Sequence, residues 1–504
     1  MVSTSPAQPS LDDAFKLYRQ GKSDLALAEY NSIIAANPNS AQAFTGLSRV
    51  LLRLKRIDDS YAAAAKAVQL LPDLSDAHVA LGEVYFRQGK LTDAENEFLT
   101  QVRANSSNAR AFLGMARISE AASFHKQAKD MIDRSYALDP HDPDVNRERL
   151  RILGRSVLVH VQSDSKPGES NDSSSEGTLM DRLVTFLGDT PIPDGPSCKL
   201  VSNTKSAQVE LLPMHESPSI IRGYGLNVKI DGASSVLALD TGAPGILVNH
   251  KIAEKAKLKK IGQTTISGIG DKGPIEGYIG VADSIKIGDL EFQGCVVEVS
   301  EKGTGVGVDG LIGTDLFSQF LVDIDFPKAK LKLSELPPYP NNPAPASGTE
   351  SDNRADLQLH NRYVASEMKT YTPVYIFRKQ ILVRTKINDS ITKLFVLDTG
   401  SVLNLISPAA AREVTKVSRD SQMELRGLSG NVKDVFSADS VTLTFGNLRQ
   451  KNLDISAFDP SALSESLGTE VSGFLGFAVL RMLDVKIDYR DGLVNFDFDS
   501  KRFF

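Results

Sequence analysis

Val236-Leu237-Ala238-Leu239-Asp240-Thr241-Gly242-Ala243 is an apolar run of strand type that delivers one carboxylate into a tight Asp-Thr-Gly turn. A second copy, Leu394-Phe395-Val396-Leu397-Asp398-Thr399-Gly400-Ser401, lies further along the chain. One such turn is an ordinary strand end. Two of them invite a comparison of everything around them.

The flanking landmarks repeat. Before the first turn, Leu226–Ile230 and Ser235–Leu239 read as a hairpin about Asp231-Gly232. After it come a short helix over Lys251–Lys257, a glycine-rich tip at Gly268-Ile269-Gly270-Asp271-Lys272-Gly273, and the element Leu311-Ile312-Gly313. A short helix near Thr314–Phe320 and the strands Ile324–Phe326 and Leu331–Leu333 close the segment. The second copy runs through strands Leu382–Ile387 and Lys393–Leu397, a helix over Pro408–Val417, a tip at Gly427-Leu428-Ser429-Gly430-Asn431, and Phe474-Leu475-Gly476. The aspartate-to-tip spacing is 28 residues in one copy and 29 in the other, and Gly313 to Asp325 matches Gly476 to Asp488 at 12. This is an internal duplication.

Each segment resembles a lobe of the retropepsin-like proteins, and the pair resembles the two-lobed, pepsin-like aspartic peptidases, over roughly residues 206–335 and 357–500. The resemblance implies one catalytic aspartate per lobe, Asp240 and Asp398, facing each other across a pseudo-twofold axis. Two carboxyls held about 3 Å apart cannot both ionise, so one supplies the base and the other the acid for attack by water. Gly242 and Gly400 are expected to keep side chains away from the pair, and the resemblance implies that Thr241 and Thr399 hydrogen-bond across the axis. The copies differ at Ala243 and Ser401. A Ser401 hydroxyl donating to Asp398 predicts that Asp398 carries the charge and Asp240 the proton. Gly268, Gly270, Gly273, Gly427 and Gly430 stand where the family has its flap or the corresponding hairpin, and Tyr278 lies too far past the tip to serve as a flap tyrosine. The other carboxylates, Asp323, Asp325 and Asp488 among them, are expected in solvated strands and turns.

The N-terminal third is helical and has a period of 34 residues: Gly21, Lys55 and Gly89 mark turns between helices, and Pro38, Pro72, Ser106 and Pro140 mark helix ends. The pattern resembles the tetratricopeptide repeat. Repeat three fits best, through Gly82, Tyr85, Gly89, Ala94 and Phe98; repeat one matches at Gly21, Ala26, Tyr30 and Pro38. Repeat two departs with Ser60 and Ala64, and repeat four has Ser123 at its turn. One helix hairpin cannot bury its own apolar face, so stacked hairpins share a core. The array is either a concave surface for a peptide or protein partner or a spacer or oligomerisation module.

The expected fold is multidomain, α plus β: an α-α superhelix over residues 10–155, a flexible linker over 156–180, an all-β lobe over 181–336, a Pro-rich linker over 337–356 and a second lobe over 357–504. A net charge of -6 argues against nucleic acid, and no run of 18 apolar residues predicts a membrane span. Met1–Ser10 has no export-signal pattern, so the default expectation is cytoplasmic, or exported if a signal was removed. The scarcity of cysteine, Cys198 and Cys295 alone, predicts free packing thiols rather than a disulfide. The strings Gly268-x-Gly270-x-x-Gly273 and Gly305-x-Gly307-x-x-Gly310 lack the strand–helix context of a dinucleotide site, the seven histidines are scattered, and no GxSxG elbow occurs. No metal and no cofactor is expected. The sequence therefore predicts an aspartic endopeptidase acting on a peptide or unfolded protein, with repeats that recruit a protein partner. The alternative is a non-catalytic peptide-binding or adaptor protein on the same scaffold.

Overall fold

The computed structural model describes residues 9–105, 107–153, 198–218, 220–303, 309–339, 363–420, 423–499 and 501. The linker expected over 156–180 lies outside the described residues, as does 340–356 of the Pro-rich linker.

The repeats form α1 (Leu11–Arg19), α2 (Ser23–Ala36), α3 (Ala41–Arg53), α4 (Ile57–Leu70), α5 (Ser75–Arg87), α6 (Leu91–Ala104), α7 (Ala109–Ala121), α8 (His125–Leu138) and α9 (Pro143–Ile152). All four turn positions at the 34-residue spacing are left-handed, with φ of 76° at Gly21, 64° at Lys55, 70° at Gly89 and 65° at Ser123. Chain reversal between paired helices therefore keeps one backbone geometry even where glycine is absent. Small residues sit where aromatic rings need room: a methyl on Gly82 would lie 2.7 Å from the Phe98 ring and one on Gly114 would lie 2.5 Å from it. In repeat two the Ser60 hydroxyl donates to the Ser48 carbonyl at 2.8 Å instead.

The odd-numbered helices turn charged side chains toward one another. Arg110 reaches Glu83 and Asp142, each at 2.8 Å, Arg117 reaches Glu148 at 3.2 Å, and the Tyr18 hydroxyl on α1 meets Asp144 on α9 at 3.3 Å. This buried ion network occupies a face that the sequence left open for a partner. Among the described residues no helix is long and apolar enough to cross a membrane.

Each β lobe is built around its Asp-Thr-Gly strand. In lobe 1, Ala233–Asp240 lies between the antiparallel Ile220–Ile230 and the parallel Gly310–Gly313, which sets Ile312 beside Leu239 and Gly313 beside Asp240. In lobe 2, Ile391–Asp398 lies between Gln380–Ile387 and Gly473–Gly476, with Leu475 beside Leu397 and Gly476 beside Asp398. The duplicated apolar-apolar-Gly elements are thus the neighbours of the two aspartates.

A six-stranded sheet joins the lobes. Phe320–Asp325 of lobe 1 runs antiparallel to Asp484–Asp488 of lobe 2, with Ile324 opposite Val485, and one apolar core extends from Leu237 and Phe317 into Phe395 and Leu475. Two short helices differ from expectation. The one starting at Pro408 ends at Arg412, since Val417–Arg419 pairs as a strand with Phe436–Ala438; the one at Thr314 is a single 3-10 turn, because Phe320 already belongs to the shared sheet.

The two cysteines are not free. Cys198 and Cys295 form a disulfide, because Lys199–Leu200 pairs with Gln293 and Phe292 and brings Cys198 alongside its partner. Low cysteine count carried no information about that pairing. Asp325 and Asp488 are also not solvated: both are fully buried. Each caps a turn, Asp325 accepting from the Lys328 backbone N–H at 3.2 Å and Asp488 from that of Asp491 at 3.0 Å, which explains their matched places in the duplication.

Candidate active site

The two Asp-Thr-Gly turns meet at the lobe junction. The Thr241 hydroxyl donates to the Leu397 carbonyl at 2.7 Å and accepts from the Thr399 backbone N–H at 3.0 Å. The Thr399 hydroxyl donates to the Leu239 carbonyl at 2.8 Å and accepts from the Thr241 N–H at 3.0 Å. Four crossed bonds made by two buried hydroxyls fix the turns face to face.

Asp240 and Asp398 are consequently buried together and hydrogen-bonded to each other. Asp398 accepts from the backbone N–H of Gly400 at 2.9 Å and of Ser401 at 3.1 Å; Asp240 accepts from Gly242 at 2.8 Å and also receives the N–H groups of Ala243 and Gly400. Burial raises the pKa of both carboxyls. Desolvation is the largest cause at each, the charge of Asp240 adds to it at Asp398, and backbone N–H groups oppose it at both. The two carboxyls therefore share one proton and titrate as a pair.

The asymmetry expected from Ser401 loses its hydroxyl donor. Its hydroxyl donates to the Leu403 carbonyl at 2.9 Å, so only its backbone N–H serves Asp398. Ala243 supplies a backbone N–H to Asp240 in the same way. Neither side chain after the glycine donates to the pair.

Both glycine-rich tips are brought together. The Ser429 N–H donates to the Ile269 carbonyl at 2.9 Å, the Lys272 N–H to the Ser429 carbonyl at 3.0 Å, the Asp271 N–H to the Asn431 carbonyl at 3.1 Å, and the Gly268 N–H to the Ser429 hydroxyl at 3.2 Å. Gly270, Gly273 and Gly430 have φ of 135°, 71° and 95°. Gly427 is needed for space instead, since a methyl there would lie 2.7 Å from Ile269 Cβ. Each lobe contributes one tip, and the tips bridge the lobes. Tyr278 sits away from them, buried in the lobe 1 core against His250.

Several lobe-to-lobe contacts had no sequence signal. Gln380 of lobe 2 donates to the Gly242 carbonyl, and Lys379 pairs at 2.9 Å with the buried Asp315, which within lobe 1 accepts from the Gly245 N–H at 2.8 Å. The Tyr489 hydroxyl meets Thr314 Oγ1 at 2.5 Å. The one available clue was a break in the duplication: Asp315 follows Gly313 by two residues, where Gly476 is followed by Ala478.

An aspartyl protease family model matches residues 226–316 and again 383–479, so that both matched ranges contain an Asp-Thr-Gly turn and its apolar-apolar-Gly neighbour. A tetratricopeptide repeat model matches residues 16–75 and 59–110. The chain thus carries two stretches similar to the aspartyl protease family and, ahead of them, tetratricopeptide repeats. Solved structures similar to it include an aspartic proteinase from Irpex lacteus, at 14% identity over 58% of this chain and 98% of that one with a TM-score of 0.35. A thermophilic tetratricopeptide repeat protein from Thermus thermophilus is similar at 21% identity over 29% of this chain and 81% of that one, with a TM-score of 0.26. No curated protein sequence matches the chain. The two aspartyl protease matches stop short of the shared sheet at Phe320–Asp325 and Asp484–Asp488, which makes one body of the two lobes.

Proposed function

We propose that the chain is an aspartic endopeptidase that hydrolyses peptide bonds of an extended or unfolded polypeptide lying between the lobes. The observation that carries this reading is the pair Asp240–Asp398, two carboxyls buried in mutual hydrogen-bonding contact with pKa values raised by burial. Purely structural aspartates have little use for such an arrangement, because a buried like-charge pair costs stability unless it holds a proton.

The chemistry follows from the one proton that the pair shares. The ionised carboxyl takes a proton from a water as its oxygen attacks the scissile carbonyl carbon. The protonated carboxyl gives its proton to the carbonyl oxygen, so that the tetrahedral intermediate is neutral. Return of a proton to the amide nitrogen, with loss of the other from the intermediate, breaks the C–N bond and restores the shared proton. The joined tips Gly268–Gly273 and Gly427–Asn431 part to admit the chain and close over it by main-chain hydrogen bonds. The repeats carry a protein-interaction role, bringing a partner or substrate to the lobes.

The test is cleavage of an unstructured protein between about pH 3 and pH 7, with and without pepstatin, by the wild type and by Asp240→Asn and Asp398→Asn. Each variant is expected to lose activity by on the order of 10³-fold or more, since neither carboxyl works alone. Unchanged cleavage in both variants would overturn the assignment. Peptide binding without turnover in the wild type would make the protein a binding module.

A further inference from the structure

The left-handed turns of the repeat array form a row spaced 34 residues apart, and three of the four touch lobe 2. Lys55 forms an ion pair with Glu465. Gly89 sits where an added methyl would be 3.1 Å from the Glu470 carbonyl oxygen and 3.4 Å from Leu394 Cδ1. A methyl on Gly492 would lie 2.9 Å from Ser123 Oγ. Gly21, the first of the row, faces open space.

Backbone bonds seal the same seam. The Glu470 N–H donates to the Arg87 carbonyl at 2.9 Å, and the Thr469 hydroxyl donates to the Phe86 carbonyl at 2.7 Å. Beside them Phe86 packs on Phe377 with ring centroids 5.9 Å apart. One apolar cluster runs from Phe86 and Phe112 of the array into Leu394, Val396 and Phe474 of lobe 2.

Leu394 and Val396 belong to the strand that ends at Asp398. They alternate with Phe395 and Leu397, which face the core shared by the lobes, so this strand has two apolar faces. The duplication supplies an internal control. Four and two residues before Asp240 stand Val236, only half-buried, and the smaller Ala238, and neither belongs to an apolar cluster among the described residues. At the matching places Leu394 and Val396 are 3% and 1% exposed. Lobe 2 has the larger apolar face, and the array covers it.

We propose that the repeat array is the outer layer of lobe 2, and that its row of turns is an intramolecular docking surface that positions the strand carrying Asp398. Phe86, Gly89 and Phe377 are then positioning residues, acting on the carboxyl pair through Leu394 and Val396. The docking claim stands apart from catalysis; only its kinetic consequence rests on the peptidase reading.

The test uses the full chain. Asparagine tolerates the left-handed region, so Gly21→Asn and Gly89→Asn both keep the turn, but only at 89 does the new side chain meet lobe 2. Backbone hydrogen exchange across residues 394–398 is expected to quicken by about tenfold or more in Gly89→Asn and to stay at the wild-type rate in Gly21→Asn. Phe377→Ser, made on the lobe 2 side, is expected to do the same, with Phe377→Leu restoring protection. On a short peptide that needs no recruitment, Gly89→Asn should lower kcat with KM unchanged. Wild-type exchange rates in both Gly89→Asn and Phe377→Ser overturn the proposal. Absence of cleavage in the wild type removes the peptidase reading and leaves the exchange rates to decide the docking claim.

Discussion

A methyl group on Gly242 would lie 2.6 Å from Cγ of Asp398, and one on Gly400 would lie 2.7 Å from Cγ of Asp240. Each glycine is thus required by the carboxyl of the opposite lobe. Alanine at either position fits its own turn, whose φ is not positive, yet pushes the facing aspartate aside. Gly242→Ala and Gly400→Ala are expected to lower kcat/KM by about 10²-fold or more, the scale set by a misplacement near 1 Å. Wild-type kinetics in either variant would show that the close approach is dispensable.

The crossed threonines predict a stability effect. Thr241→Val keeps the side-chain shape but leaves the Leu397 carbonyl and the Thr399 N–H without their partner. A buried polar group left unpaired costs about 1–3 kcal/mol, so thermal unfolding should show a clear drop in Tm, and Thr399→Val a similar one. The double variant should fall short of the sum, because the two hydroxyls serve the same junction.

Stability is expected to respond to pH with opposite signs in the two halves of the molecule. Burial, together with the hydrogen bond and charge of Asp484 and against Lys332 and Lys486, pushes Asp323 up to about 6. An aspartate that holds its proton more tightly when folded contributes stability at low pH and loses it as pH rises from about 4 toward 6. The raised Asp240 and Asp398 act in the same sense. In the array, burial alone would raise Asp144, but Arg110, Arg117, Arg53 and Arg147 override it and hold the carboxyl below the usual range. That contribution is complete above about pH 4 and is lost as pH falls below it. Hydrogen exchange at pH 3 and pH 7 should therefore show the array loosening in acid while the strands at the lobe junction tighten. A junction response unaltered by Asp323→Asn would contradict the assignment.

The disulfide closes a sequence separation of 97 residues and ties the chain entering lobe 1 to Leu290–Ser300. Cys198→Ser, Cys295→Ser or added reductant should each cost about 2–4 kcal/mol, read as a shift in the denaturant midpoint. Equal midpoints with and without reductant would show that the bond is absent in solution.

Most of the carboxyl pair's frame was legible in the chain because it is local and written twice. An apolar strand, Asp-Thr-Gly and a later apolar-apolar-Gly each depend on near neighbours, and duplication raises their joint specificity. The repeats were legible for the same reason: the left-handed turn at Ser123 was placed by period alone. Contacts between distant segments were not. Nothing near Phe86 names Phe377, nothing near Cys198 names Cys295, and the Ser401 hydroxyl donates to the Leu403 carbonyl rather than to Asp398. Asp325 and Asp488 were misjudged because burial is decided by the sheet that joins the lobes, which no local pattern announces.

Repeat solenoids ordinarily gain and lose whole repeats with little penalty, since each contacts only its neighbours. This one has surrendered that freedom. Lys55 and Ser123 meet lobe 2 at points two repeats apart, at Glu465 and Gly492. A repeat inserted or deleted between them would carry one contact off its partner, so the count from α3 to α8 is fixed by the β lobe beneath. The first repeat is held as well, since Tyr18 on α1 reaches Asp144 on α9 and Arg19 pairs with Asp139 across the array.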